Sequence, residues 1–377
     1  MVSKTPAPKK KVSHKPTSTR HQSPPSASPD GPNATQSQKD QQVLLNIFSD
    51  AFASLLSSNR FPTLLQEIKQ ALFNREFGAA FANEEYLEVY AARWSPTRAL
   101  CYAAVVLGIQ DYTNQTLLLP EGDGAEPPPA GEGAAQAEEP AADVDADEGL
   151  GSKPNQRLKM LCLGGCAAEH VAFASYLQHT NSKGSLSLVD SGPWTLVCSV
   201  LQNQLTTPPP LSKYASIAAK AANRRLVAED QLSYSFIQAD VLGLAEARLA
   251  EIVGSQPLLV TLMFTLNELY TDGGIGKTTK LLRNLGKVLP SGSLLLVVDS
   301  PGSYSEAAVG KEKKKYPMQW LLSHTLLESK VPEYTWEQLE SRDSIWFRLP
   351  DGLSYPIQLE NMRYQMHLYR IHQNKTL

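Results

Sequence analysis

The chain has 377 residues, 42% of them hydrophobic, with a formal net charge of −3, which allows two or three domains of roughly 100–200 residues around a buried core. No run of about 18 or more apolar residues occurs, so no membrane-spanning helix is expected. Lys9, Lys10 and Lys11 are followed by no apolar stretch, so the N-terminus does not read as a secretory signal.

The net charge averages over unlike segments. Residues 1–40 carry seven Lys/Arg against two Asp and are rich in Ser, Pro and Gln. They cannot bury enough apolar surface to offset ordering entropy and are expected to be a disordered basic tail. Lys9–Lys11 suit a targeting or RNA-contacting role equally as well as a solubilising one. Residues 41–119 read as a small helical domain. Leu44, Ile47, Phe48, Ala51, Phe52 and Leu55 recur at helical spacing between Val43 and Leu56. A second helix is expected from Ser95 as N-cap, with Pro96 in its first position, to about Leu107. Residues 120–150 hold ten acidic residues and no basic one, with no periodicity, and read as an acidic disordered linker.

From 151 to 377 the pattern changes, with 23 Lys/Arg against 19 Asp/Glu. Short apolar runs at Leu158–Leu163, Leu186–Val189, Tyr234–Gln238, Leu258–Phe264 and Ser293–Val298 alternate with helical stretches. Alternation of this kind predicts an α/β fold, a Rossmann-like parallel sheet covered on both faces. Ile345–Leu349 and Tyr364–Ile371, joined through Pro350-Asp351-Gly352, predict a terminal antiparallel pair.

The first strand runs into Gly164, Gly165, Cys166 and Glu169 at the start of a helix. Strand, glycine turn and helix form a nucleotide-binding layout, because glycines let the backbone approach a ligand and the helix N-terminus offers oriented N–H groups. A tight turn without a ligand fits the same residues. Asp190 ends the second run, where an acidic side chain can accept both ribose hydroxyls, and Asp240 follows the third, where one can accept from an adenine amino group. Each Asp taken singly also fits a loop or cap; with the glycines, three successive strand ends are polar. Asn267 and Glu268 follow the fourth run, as an amide for a base edge and a proton acceptor, or alternatively as a helix cap and its first turn. Asp299-Ser300-Pro301-Gly302 ends the fifth run as a pocket lip or a plain turn.

Two sequences mislead. Gly273-Gly274-Ile275-Gly276-Lys277-Thr278 looks like a phosphate-binding loop, but Thr271 stands where the spacing requires glycine and Asp272 would repel phosphate; Thr278 is instead expected to start a helix to Leu289. Lys311–Lys315, four lysines around one Glu, suits RNA phosphate or a solvated loop. Cys101, Cys162, Cys166 and Cys198 lack the second ligand pair of a zinc site, so no metal is expected and all four read as reduced thiols.

Leu163–Glu169, Asp190 and Ala239-Asp240 resemble motifs of class I methyltransferases, with Cys166 where many of them have a third glycine. Arg93-Trp94-Ser95-Pro96-Thr97-Arg98-Ala99, Phe264-Thr265-Leu266-Asn267-Glu268-Leu269, Met318-Gln319-Trp320 and Leu359-Glu360-Asn361-Met362-Arg363-Tyr364-Gln365 resemble the fungal large-subunit rRNA uridine-N3 methyltransferase family. The resemblance covers most of the chain outside 1–40 and 120–150. It implies a class I fold, S-adenosylmethionine as cofactor, N3 of an rRNA uridine as acceptor, rRNA or the pre-ribosome as partner, and a nuclear or nucleolar monomer, with the cytoplasm as the alternative location. Gly164, Gly165, Cys166, Glu169, Asp190 and Asp240 are then expected at the cofactor, and Asn267 and Glu268 at the chemistry. The rival readings are a protein or small-molecule methyltransferase and a non-catalytic ribosome-assembly factor of the same fold.

Overall fold

A computed structural model describes residues 36–116, 157–302, 304–309, 312–328 and 331–374. The acidic segment 120–150 and residues 1–35 of the basic tail lie outside the described residues.

The first described helix, Gln38–Ala51, starts earlier than its apolar face predicts. Ser37 and Asp40 form a capping box, in which the Ser37 hydroxyl accepts the Asp40 N–H and the Asp40 carboxylate accepts the Ser37 N–H. This satisfies two backbone donors and carries the helix into residues 38–40, counted above with the tail. Glu84–Arg93 and Ser95–Gly108 are consecutive helices meeting at Trp94. Ser95 is therefore not the cap: Trp94 occupies that position without a side-chain bond, and Ser95 lies buried in the first turn. The Ser95–Gly108 helix is buried almost all round from Ala99 to Leu107. Its alanines allow close approach to the Ala167–Thr180 helix, which is likewise buried through Leu177.

Nine strands are present among the described residues. They are β1 (Arg157–Leu163), β2 (Lys183–Asp190), β3 (Leu232–Gln238), β4 (Leu259–Met263), β5 (Leu294–Asp299), β6 (Tyr304–Val309), β7 (Glu312–Pro317), β8 (Tyr334–Phe347) and β9 (Met362–Gln373). Seven form one sheet in the order β3-β2-β1-β4-β5-β9-β8. The first five are mutually parallel, with Leu163 opposite Val189 and Val298 opposite Met263. β9 then runs antiparallel to β5, with Asp299 opposite Gln365, and β8 closes that edge. This is the expected α/β architecture with a terminal antiparallel pair. β8 begins eleven residues before the predicted run at Ile345. Glu337, Gln338, Glu340, Arg342 and Asp343 hide it from an apolar search, as befits an edge strand, and bulges interrupt its register on either side of Glu340–Arg342.

Alternation along the strands divides the interior into two layers. Leu158, Met160 and Cys162 of β1 face a core built with the N-terminal helices and the Ala167–Thr180 and Thr195–Thr206 helices. Leu161 and Leu163 face the other, built with Glu246–Val253, Gly274–Val288 and Met318–Leu327. The segment 41–116 thus shares one core with the sheet. The Gly274–Val288 helix starts four residues before Thr278, whose buried hydroxyl donates back to Leu269 and Gly274 carbonyls. β6 and β7 pair antiparallel, and Glu312–Lys315 of the lysine run lie on β7, while Lys311 lies outside the described residues. All four cysteines are free and buried.

Candidate active site

All five parallel strands end at one edge, and β1, β2, β3 and β4 open there on a cavity of about 760 Å³. At its floor Gly164 adopts φ +74°, donates its N–H to the Val189 carbonyl at 2.8 Å and accepts the Thr265 hydroxyl on its own carbonyl. A Cβ there would meet the Thr265 methyl at 2.1 Å, so glycine is required twice over, by conformation and by space. At Gly165 a Cβ would fall 2.4 Å from the Glu169 carboxylate, which lies against the bare backbone. The turn is the close-approach cradle that a ligand at the Ala167–Thr180 helix N-terminus needs. Cys166 occupies the cap position of that helix, buried, with its thiol pushed well above the usual range by burial, so it presents a neutral group to the cavity.

Asp190 ends β2 with one carboxylate oxygen accepting the Gly192 N–H at 2.8 Å. Asp240 caps the short turn Val241–Gly243 by accepting the Leu242 N–H at 2.9 Å while also lining the cavity. Glu268 lines it from the turn after β4, and Glu169 from the first turn after the glycines. Asn267 does not line it. Its backbone N–H donates to Asp299 at 2.9 Å, and Asp299 takes the Ser300 N–H on its other oxygen. Seven of the eight expected residues therefore share one wall, and Asn267 stands behind it.

The electrostatics are unusual for their sign. Burial raises Glu169 to about 7, Glu268 to about 8 and Asp299 to about 6, and raises Asp190 from its ordinary value. Asp190 adds to the shift of both glutamates, and Asp299 to that of Glu268. One guanidinium opposes them. Arg98, on the Ser95–Gly108 helix, is partly buried; desolvation disfavours its charge, but Tyr90, Tyr102, Glu268 and Glu169 hold it protonated. It donates to the Tyr90 hydroxyl and lies 5.0 Å from the Phe264 ring centre and 5.4 Å from that of Tyr90. Phe264 follows β4 with φ +58°, a strained conformation for a bulky residue. Glu169, Asp190, Asp240, Glu268 and Asp272 line the cavity against Arg98 and Lys277, and this surplus of carboxyls suits a ligand carrying positive charge.

Arg98 and Phe264 stand in segments that carry the family resemblance, but their place at the cavity, like that of Tyr90, is set by the fold. A lone arginine opening the apolar run Ala99–Leu107 is the signal that marks Arg98, since an unpaired charge is seldom buried without a task. Tyr90 and Phe264 resemble core aromatics in sequence and carry no such signal.

A family model described as "Putative SAM-dependent methyltransferase" matches residues 48–370, well over half of the chain. The 25S rRNA (uridine(2843)-N(3))-methyltransferase of Saccharomyces cerevisiae is 29% identical over 329 residues, covering 81% of this chain and 76% of the yeast protein. Among solved structures, the plantazolicin methyltransferase BpumL in complex with SAH covers 82% of this chain and 99% of its own at 11% identity, TM-score 0.34. An O-methyltransferase family protein from Burkholderia thailandensis covers 83% and 73% at 11% identity, TM-score 0.32. Scores that low add nothing to the topology described above. The family match, falling on a chain whose glycine turn and carboxylate-lined cavity suit a cationic nucleoside, makes this protein a member of the SAM-dependent methyltransferase family.

Proposed function

We propose that the protein methylates N3 of a uridine in large-subunit rRNA. The observation that carries the reading is the surplus of carboxyls lining the cavity at the strand ends, Glu169, Asp190, Asp240, Glu268 and Asp272, which suits a sulfonium donor. The uridine-N3 methylation of 25S rRNA by the yeast relative supports the acceptor. When bound, S-adenosylmethionine supplies an activated methyl group, and the chain's residues position it and prepare the acceptor. Gly164, Gly165 and Cys166 let the donor lie against backbone, and Glu169 meets its positive charge. Asp190 accepts from the ribose hydroxyls, and Asp240 from the adenine amino group. Glu268 takes the N3 proton. Burial that lifts it to about 8 brings its basicity near that of the acid it must deprotonate. Bound S-adenosylmethionine would give its methyl group to N3 and keep the electron pair of the broken C–S bond, and the chain's part is to hold donor and acceptor in line. Asn267 acts from behind, holding Asp299 through its backbone N–H.

On this reading rRNA or the pre-ribosome is the partner and the nucleus or nucleolus the place of action, with the cytoplasm as the alternative. Mass spectrometry of rRNA nucleosides from a deletion strain tests the reading. Loss of one N3-methyluridine is expected, and an unchanged nucleoside profile overturns it.

A further inference from the structure

A second cavity, of about 180 Å³, opens beside the first and shares Arg98 and Phe264 with it. An engineered cavity of about 150 Å³ holds a benzene ring, so this one has room for a single pyrimidine base. Its polar groups suit the edge of such a base. The Thr97 hydroxyl is buried in its wall and has no hydrogen-bond partner among the described residues. An orphaned hydroxyl in a cavity wall costs stability unless something in the cavity completes it. Arg98 reaches the same space as a partly buried donor held in its charged form. Arg93 does not compete for a ligand, because it is paired with Glu360 at 2.6 Å and lies 5.8 Å from the centre of the Trp94 ring.

The rim of this cavity continues onto an exposed basic and aromatic surface. Arg363, which lines the cavity, is fixed by its Nε–H to the Ser344 hydroxyl at 2.8 Å and lies 5.8 Å from the Trp346 ring centre. Arg348 flanks the same ring at 5.4 Å, and Trp346 is 45% exposed. Two guanidinium groups at an exposed tryptophan make a surface on which a base stacks, on the ring or on a guanidinium plane, while phosphates meet the charges.

We propose that the smaller cavity receives the acceptor base, turned out of a single-stranded stretch of RNA, with Thr97 and Arg98 on its edge and a neighbouring base stacked on Trp346. The proposal rests on the rRNA uridine reading given above. Arg98 and Phe264 form the boundary between donor and acceptor, so the base meets the methyl group at that boundary. Uracil offers O2 and O4 as acceptors, and loss of its N3 proton leaves negative charge spread over both. A guanidinium already held charged stabilises that anion without rearrangement. The carboxyls on the donor side suit the cation, and the arginine between them suits the anion.

The test uses full-length protein and large-subunit rRNA from a strain lacking it. Methyl transfer is read by nucleoside mass spectrometry, S-adenosylmethionine affinity by calorimetry, and RNA affinity by titration with a labelled single-stranded oligonucleotide containing the methylated site. Thr97→Val is expected to lower kcat/KM at least tenfold with cofactor affinity within twofold, and Thr97→Ser to restore it. Trp346→Ala, at an exposed position, is expected to raise KM for RNA about tenfold with kcat little changed and the melting temperature retained. If the unaltered protein methylates rRNA uridine but both variants match it in kcat and KM, the acceptor site lies elsewhere. If the unaltered protein methylates no rRNA uridine, the functional reading fails first and this proposal with it.

Discussion

Cofactor affinity should depend on pH in a direction set by the buried carboxyls. Glu169 is raised from an ordinary value of 4.5 to about 7 by burial. A group raised in this way favours the folded protein below its unfolded value, and that contribution disappears as pH rises through about 7. A cationic ligand restores it by stabilising the ionised carboxylate, so binding releases protons near neutrality. For a group titrating near 7, lowering the pH from 7.5 to 6.0 raises the cost of ionisation by roughly tenfold, about 1.4 kcal/mol. Glu268, raised to about 8, adds to this in the same direction. Calorimetry at the two pH values is the assay, with buffers of different ionisation enthalpy to count released protons. S-adenosylmethionine should bind at least tenfold more weakly at pH 6.0, and Glu169→Gln should flatten the slope. S-adenosylhomocysteine, which lacks the sulfonium charge, should show a shallower slope in the unaltered protein. Equal or tighter binding of S-adenosylmethionine at pH 6.0 would refute the assignment of these carboxyls to a cation.

Asp190→Ala removes two charge-assisted bonds to the ribose, each worth roughly 1.5–3 kcal/mol; calorimetry should show at least a tenfold loss of cofactor affinity with circular dichroism unchanged. Glu268→Gln should lose activity most steeply near neutral pH and recover toward alkaline pH, where the N3 proton leaves unaided, whereas a uniform loss across pH would remove Glu268 from proton transfer. Gly164→Ala forces a side chain into φ +74° and against Thr265, so denaturant unfolding should report a loss of at least about 1 kcal/mol together with weakened cofactor binding.

Much of this protein is legible in its sequence because burial on both faces of a parallel sheet leaves continuous apolar runs. β1, β4 and β5 lie within a residue or two of their predicted bounds, and the polar residues ending β1, β2 and β3 stand at the cavity because parallel strands bring every carboxyl end to one side. The polar half of β8 carries no such pattern. Its edge position satisfies it by pairing with β9, a fact the segment does not contain. Neither does local sequence say that Asn267 turns away while Glu268 turns in: both follow the same strand, and the hydrogen bond from the Asn267 backbone to Asp299, 32 residues on, fixes the turn. Arg98 shows the dependence most clearly. As a residue of a helical segment its guanidinium has no visible partner; only when the Ser95–Gly108 helix packs on the Ala167–Thr180 helix does it enter the space between Glu169, Glu268 and Phe264. Residue type and periodicity determined the elements and the polar strand ends, because those depend on local spacing and burial. The charge balance of the site was decided by tertiary packing, because a pKa depends on which charges burial brings together.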